Sequence, residues 1–179
     1  ANEPIHGQTK KLDKVPPLIG RFAGEADEGY IFAANLNNSF RLANRVLAAG
    51  YPVWRTRSYG DFVTEPNAKE ILEAGAKELG VDVEVFGGLL AEADIVCYKP
   101  SRIGMYRRYL GGSMDEGWSR LTLEQFEFPY ITVMDKDIWE GHLIEKFDVI
   151  YIPADRKAML TDVTKEPAFG MMRRFIGNI

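Results

Sequence analysis

"RIGMYRRYLGGSMDEGWSRLTLEQFEFP", residues 102–129, runs from a short apolar segment through a basic, glycine-bearing turn into an acidic amphipathic helix. The same grammar continues downstream. YITVM (130–134) reads as a strand, DKDIWEGHLIEKF as a short helix, and DVIYIP (148–153) as another strand. Strands alternating with helices of about 10 to 15 residues predict βαβ units and a mostly parallel sheet. Right-handed crossovers then place helices on both faces. The expected fold class is α/β, flavodoxin-like or doubly wound.

Upstream, YIFAAN (30–35) is a compact apolar strand. The helix after it can be capped by Asn37 or Asn38, carries Phe40, Ala43, Val46 and Leu47 on one stripe, and stops at Gly50. YPVWRTR (51–57) is the next strand, and GDFVTEP breaks the pattern. A second helix spans 67–80, with Ile71, Leu72 and Leu79 facing inward and Gly80 ending it. VDVEVF (81–86) alternates as a strand with one wet face. GGLLAEAD reads as a joint, and Ile95–Tyr98 as a further short strand. Residues 1–29, with Pro4, Pro16, Pro17 and four glycines, lack periodicity and read as an extended arm or linker. Residues 30–179 form the α/β domain, divisible into sub-lobes 30–86 and 102–153.

At 179 residues and 46% hydrophobic composition the chain can bury a real core. Its net charge of -4 argues against a nucleic-acid partner, which needs a basic face. The doublets Arg107-Arg108 and Arg173-Arg174 are too short to change that and read as solvated surface. No apolar run reaches the ~18 residues of a membrane span. The N-terminus carries no signal-peptide core, which leaves the compartment open. Cys97 is the only cysteine, so it has no internal disulfide partner.

Ligands of parallel α/β sheets sit at the carboxyl ends of the strands, which makes the loop after the 102–107 strand the candidate site. Tyr106 ends that strand. Gly111 and Gly112 permit close backbone approach, Ser113 or Asp115 can cap the helix, and Arg107 and Arg108 could meet an anion at the helix start. Asp115 and Glu116 already supply negative charge there and would repel a phosphate. No GxGxxG or GxxxxGK[ST] pattern is present, so the structural reading of the loop stands ahead of the ligand reading. Trp118, Leu121 and Phe126 are expected in the core. Asn35 and Asn38 end a strand, as does Asp135 in MDKD; capping is the simpler role for each. Cys97, in the apolar run DIVCYKP, is expected to be a buried, inert thiol, because it lacks the strand-to-helix elbow of a nucleophile. His6 and His142 are isolated histidines, with no HExxH and no cysteine pair, and do not make a zinc site. No catalytic residue and no metal site is assigned.

The run from Arg102 to Asp155, together with YIFAANLNNSFRLANRVLAAGYPV, resembles the region downstream of the catalytic domain in large zinc carboxypeptidase-like proteins, the carboxypeptidase A-like metallopeptidases. An Arg-Ile-Gly strand, a DEGW helix start, LEQFEFP and FDVI..P follow in the same order, over about residues 30–155. The resemblance implies a class I glutamine amidotransferase-like domain on a flavodoxin-type sheet, in a secreted or periplasmic protein. The peptidase family's zinc ligands are an HxxE pair and a later histidine; HLIE (142–145) has the HxxE spacing, but no histidine follows it among residues 146–179, so the set is incomplete. No cofactor is therefore expected in this chain, and zinc only in a separate peptidase domain. The tail KEPAFGMMRRFIGNI departs from the pattern. These features imply a non-catalytic accessory domain whose partner is the peptidase domain of the same parent, with a packing or substrate-presenting role. Two alternatives stay open: a peptide or small-molecule binding module with a cleft between the sub-lobes, hinged near Gly87-Gly88, and a hydrolase using Cys97.

Overall fold

The computed structural model describes residues 11, 13–16, 18–88, 93–109, 111–157 and 160. The central part of the GGLLAEAD joint, the Arg173-Arg174 doublet and the KEPAFGMMRRFIGNI tail lie outside them. Two sheets and the helices around them make a mixed α/β structure.

The first sheet contains β1 (Tyr30–Phe32), β2 (Val53–Thr56), β3 (Phe62–Thr64), β4 (Glu84–Val85) and β5 (Ile95–Tyr98), in the order β4-β1-β3-β2-β5. Every pairing in it is antiparallel. This corrects the expectation of a mostly parallel sheet, and the cause is β3, within the stretch read as a break. Thr56 and Asp61 close a tight hairpin: the Thr56 N–H donates to the Asp61 carbonyl at 2.9 Å, and the Asp61 N–H to Thr56 Oγ1 at 3.0 Å. Gly60, at φ +73°, supplies the left-handed turn residue. The chain therefore doubles back and inserts β3 between β1 and β2. Helices α1 (Asn37–Ala48) and α2 (Lys69–Leu79) complete a β-α-β-β-α-β unit, the split βαβ or ferredoxin-like arrangement, with β5 added beside β2.

The main core lies here. Phe62 of β3 stacks on Phe32 with ring centroids 5.3 Å apart and meets Phe40 and Tyr98 edge-on. Leu42, Val46, Leu72 and Leu79 close over it from the two helices. Neither Asn37 nor Asn38 caps α1; Leu36 holds the cap position, and Asn38 Nδ2 instead donates to the Leu79 carbonyl at 2.6 Å. The arm is laid on this lobe. Phe22 bridges to Val83 in parallel, Arg21 pairs with Asp82, and Gly20 sits where a Cβ would lie 2.2 Å from the Val81 carbonyl oxygen.

The second sheet is parallel, in the order β7-β6-β8, from β6 (Ile103–Tyr106), β7 (Tyr130–Val133) and β8 (Val149–Tyr151). Helix α3 (Met114–Gln125) joins β6 to β7; α4 (Asp135–Glu140) and α5 (Leu143–Lys146) join β7 to β8. Phe147 and Val133 press on Gly104 from one face, where a Cβ would come within 2.7 Å of Val133. On the other face Arg120 of α3 reaches Thr132 Oγ1 at 3.2 Å and lies over the Tyr130 ring. Trp118 and Leu121, expected in the core, are exposed at 63% and 41%, and Phe126 is only half-buried. The stripe of α3 that meets the sheet is Glu116 and Arg120, so the aromatic residue takes the outer side.

The lobes meet through charge. Glu127, just past α3, accepts from Arg41 Nε at 2.6 Å and from Arg45 Nε at 2.9 Å, and Asn44 Nδ2 donates to the Phe126 carbonyl at 2.9 Å. Arg45 also forks onto Glu78 of α2. Its hydrogen bonds to Glu78 and Glu127 push its pKa up, and those from Arg45 hold the Glu127 carboxyl below its ordinary range. Replacing Glu127 by Gln should cost about 1–3 kcal/mol at neutral pH, the scale of a lost hydrogen bond to a charged group. A carboxyl with a depressed folded-state pKa stabilises above its unfolded value of about 4.3 and loses that contribution as pH falls through the folded value. Denaturant titrations at neutral and acid pH should therefore show the wild-type advantage shrinking in acid; an undiminished gap would count against an ionised clamp.

Candidate functional site

Strand order reverses at β6, so the space outside the carboxyl ends of β6 and β8 is the topological switch point of the parallel sheet. Tyr106 ends β6, Asp135 opens α4 directly after β7, and Asp155 lies in the segment after β8. Tyr106 Oη donates to Asp135 Oδ1 at 2.6 Å, and the Tyr109 N–H donates to Oδ2 at 3.2 Å. Asp135 therefore serves Tyr106 and the β6 loop, while Asp137 receives the Met134 N–H at the start of α4. Burial first, and then the bond to Asp135, push the Tyr106 hydroxyl up to about 12. It stays protonated and donates at neutral pH.

The loop after β6 occupies its own cradle. Arg108 turns inward, donates to the Gly111 carbonyl at 2.6 Å and pairs with Asp155, with only 20% and 13% of the two side chains exposed. This corrects the reading of Arg108 as solvated surface; Arg107 beside it is exposed. Ser113 caps α3 as expected, its Oγ accepting from the Glu116 N–H at 3.1 Å. Glu116 folds back over Gly112, where a Cβ would sit 1.4 Å from Glu116 Oε2, and pairs with Arg120. The cavity left among Tyr106, Arg107, Arg108, Ser113 and Glu116 has about 10 Å³, roughly the space of one water. A carboxylate already stands where an anion at the helix start would bind. Asp115 is exposed on the first turn of α3, and its carbonyl receives the Ser119 hydroxyl.

An open cavity of about 180 Å³ adjoins this filled one. Tyr106 and Asp135 form its polar side; Ile138, Trp139, Ile152 and Leu160 form the rest. Trp139 is 85% exposed and stands at the rim. The sequence reading missed Ile138, Trp139, Ile152, Asp155 and Leu160. A signal for Trp139 was present: an aromatic residue in the first helix after a parallel strand lies at the ligand-facing end of the sheet.

Asn35 and Asn38 are not brought to this site. They belong to the first lobe, where Asn35 lines a separate cavity of about 470 Å³ with Leu36, Ser39, Asp61, Asp82 and Glu84. Ser39 Oγ is fully buried there without a hydrogen-bond partner. Each of the three cavities is built from one lobe's residues, or in the last case with Ile19 of the arm. Cys97, expected to be buried, is exposed, on the edge strand β5 of the first sheet. His142 is exposed at the start of α5, its Nδ1 3.1 Å from Glu145 Oε1. Among the described residues no group of three or more His, Cys, Asp or Glu is placed to hold a metal ion, and no helix is long and apolar enough to cross a membrane.

No family model, curated protein or solved structure matches the chain.

Gly112→Ala tests the self-filled cradle. The new methyl must displace the Glu116 carboxylate from Arg120, at a cost of about 1–3 kcal/mol, as for other overpacked sites. In a Glu116→Ala background the same change should cost little. Equal costs in both backgrounds, measured by denaturant titration, would show that Glu116 does not fill the loop.

Proposed function

We propose that this chain is a non-catalytic α/β module, resembling the amidotransferase-like region of zinc carboxypeptidase-like proteins. It packs against the peptidase domain of the same parent and presents a surface to substrate or partner. The 2-1-3 order of the parallel sheet supports reading residues 102–153 as a flavodoxin-type element. The observation that carries the proposal is the occupied switch point. Where such a sheet would offer a substrate its helix N-terminus, Glu116, Arg120, Arg108 and Asp155 are paired with one another.

The open cavity beside Tyr106 favours a second reading, a binding module for a small ligand or a peptide side chain. Its location differs from the inter-lobe cleft. The two lobes are instead tied together by Glu127.

Nucleophilic catalysis needs an activated residue with a base in reach. Cys97 sits on β5 opposite Trp54 of β2. An exposed thiol should label readily in the native protein, without denaturant, and its removal should change no chemistry. Cys97→Ser should therefore leave any amidase or peptidase turnover of the purified chain unchanged. Loss of such a turnover in the variant would overturn the non-catalytic proposal and promote the hydrolase.

A further inference from the structure

The cavity beside Tyr106 has the chemistry of a receptor for one cationic group. At about 180 Å³ it falls below the roughly 300–1,000 Å³ of sites that enclose a cofactor or drug-sized ligand. Its size suits a single side chain. Ile138, Ile152 and Leu160 supply apolar wall for an alkyl stem, as long basic side chains require.

The polar end carries negative charge. Asp135 accepts one hydrogen bond on each oxygen, from Tyr106 Oη and from the Tyr109 N–H. Both donors are neutral, and a carboxylate has about four lone-pair sites, so each oxygen retains acceptor capacity. Two nearby cations are committed elsewhere: Arg108 to Asp155, and Lys136 to Glu140 along α4. At the rim stands the exposed indole of Trp139, the aromatic surface that attracts cations best.

We infer that the pocket formed by Asp135, Tyr106 and Trp139 binds an alkylammonium or guanidinium group, as carried by a lysine or arginine side chain of a peptide ligand. This deepens the binding reading above and rests on it. The stem lies along Ile138 and Ile152, the charged head meets Asp135, and Trp139 covers the entry. Tyr106 holds the carboxylate in place.

The test is an NMR titration of the full chain with N-acetyl-lysine amide and N-acetyl-arginine amide, following the Trp139 indole N–H assigned through Trp139→Phe. N-acetyl-norleucine amide is the uncharged control. Both cationic probes should perturb Trp139, with norleucine at least about tenfold weaker. Asp135→Asn should weaken the cationic probes by about tenfold and leave norleucine unchanged. Trp139→Ala, at an exposed position, should weaken them without shifting the melting temperature. Equal binding of lysine and norleucine probes, or insensitivity to Asp135→Asn, would overturn the cation assignment while leaving a binding module. Absence of any perturbation by all three probes would overturn the assignment and the binding reading together. A response to one cationic probe alone would support the assignment and name the headgroup.

Discussion

Arg45 is the residue on which the arrangement of the two sheets turns. Its guanidinium forks onto Glu78 on one side and onto Glu127 on the other, with Arg41 adding a second contact to Glu127. Arginine suits this position because five N–H donors in a planar fork can serve two carboxylates at once, which a lysine ammonium cannot do with fixed geometry. The clamp also demands something of the backbone. Glu127 adopts φ +57°, a left-handed conformation uncommon for a residue with a side chain. That conformation ends α3 and turns the carboxylate towards α1. The charge cluster thereby compensates for an unfavourable local geometry.

The two lobes are stabilised in different ways. The first buries aromatic and aliphatic side chains from the sheet, α1 and α2 in one contiguous cluster. Among the described residues the second has few buried apolar side chains, Met105, Tyr106, Val133 and Phe147, and its helix α3 rests on the sheet through Arg120. That guanidinium is bonded to Glu116, Tyr130 and Thr132, and burial opposes its charge while the bonds to Glu116 and Tyr130 favour it. A part-buried ion pair contributes less net stability than apolar packing of equal volume. The consequence is a lobe that leaves Trp118, Trp139, Ile144 and Ile152 on its surface.

How far the sequence could be read follows from the same contrast. Both long helices of the first lobe, α1 and α2, were legible because their apolar stripes are the buried ones. The parallel strands β6, β7 and β8 were legible because each is a short apolar run bounded by turn residues. β3 was not, since three residues between Asp61 and Glu65 are too few to show a period, and the hairpin that makes the first sheet antiparallel hangs on them. Trp118 and α3 were misread for an electrostatic reason. Pattern reading assigns the apolar stripe to the interior, whereas here the interior stripe is Glu116 and Arg120. Cys97 was misread because an apolar run on an edge strand has the same composition as one in the middle of a sheet.

The site divides along the same line. Sequence position alone placed Tyr106, Arg108, Ser113, Glu116 and Asp135 near the carboxyl ends of the parallel strands, because that follows from topology. What each residue does there depends on pairing, which sequence does not reveal. Arg108 and Glu116, the two charged groups best placed to meet a ligand at the helix start, are neutralised by Asp155 and Arg120. Asp135 accepts only from the neutral donors Tyr106 Oη and the Tyr109 N–H, beside the one open cavity described at this edge of the sheet. A loop that neutralises its own helix start is poorly suited to anions, while a neighbouring carboxylate with neutral partners and an exposed indole is suited to cations. Moving recognition from the helix start to the mouth of α4 would require only that Glu116 reach Arg120 while Asp135 accepts from the neutral Tyr106 hydroxyl and Tyr109 N–H.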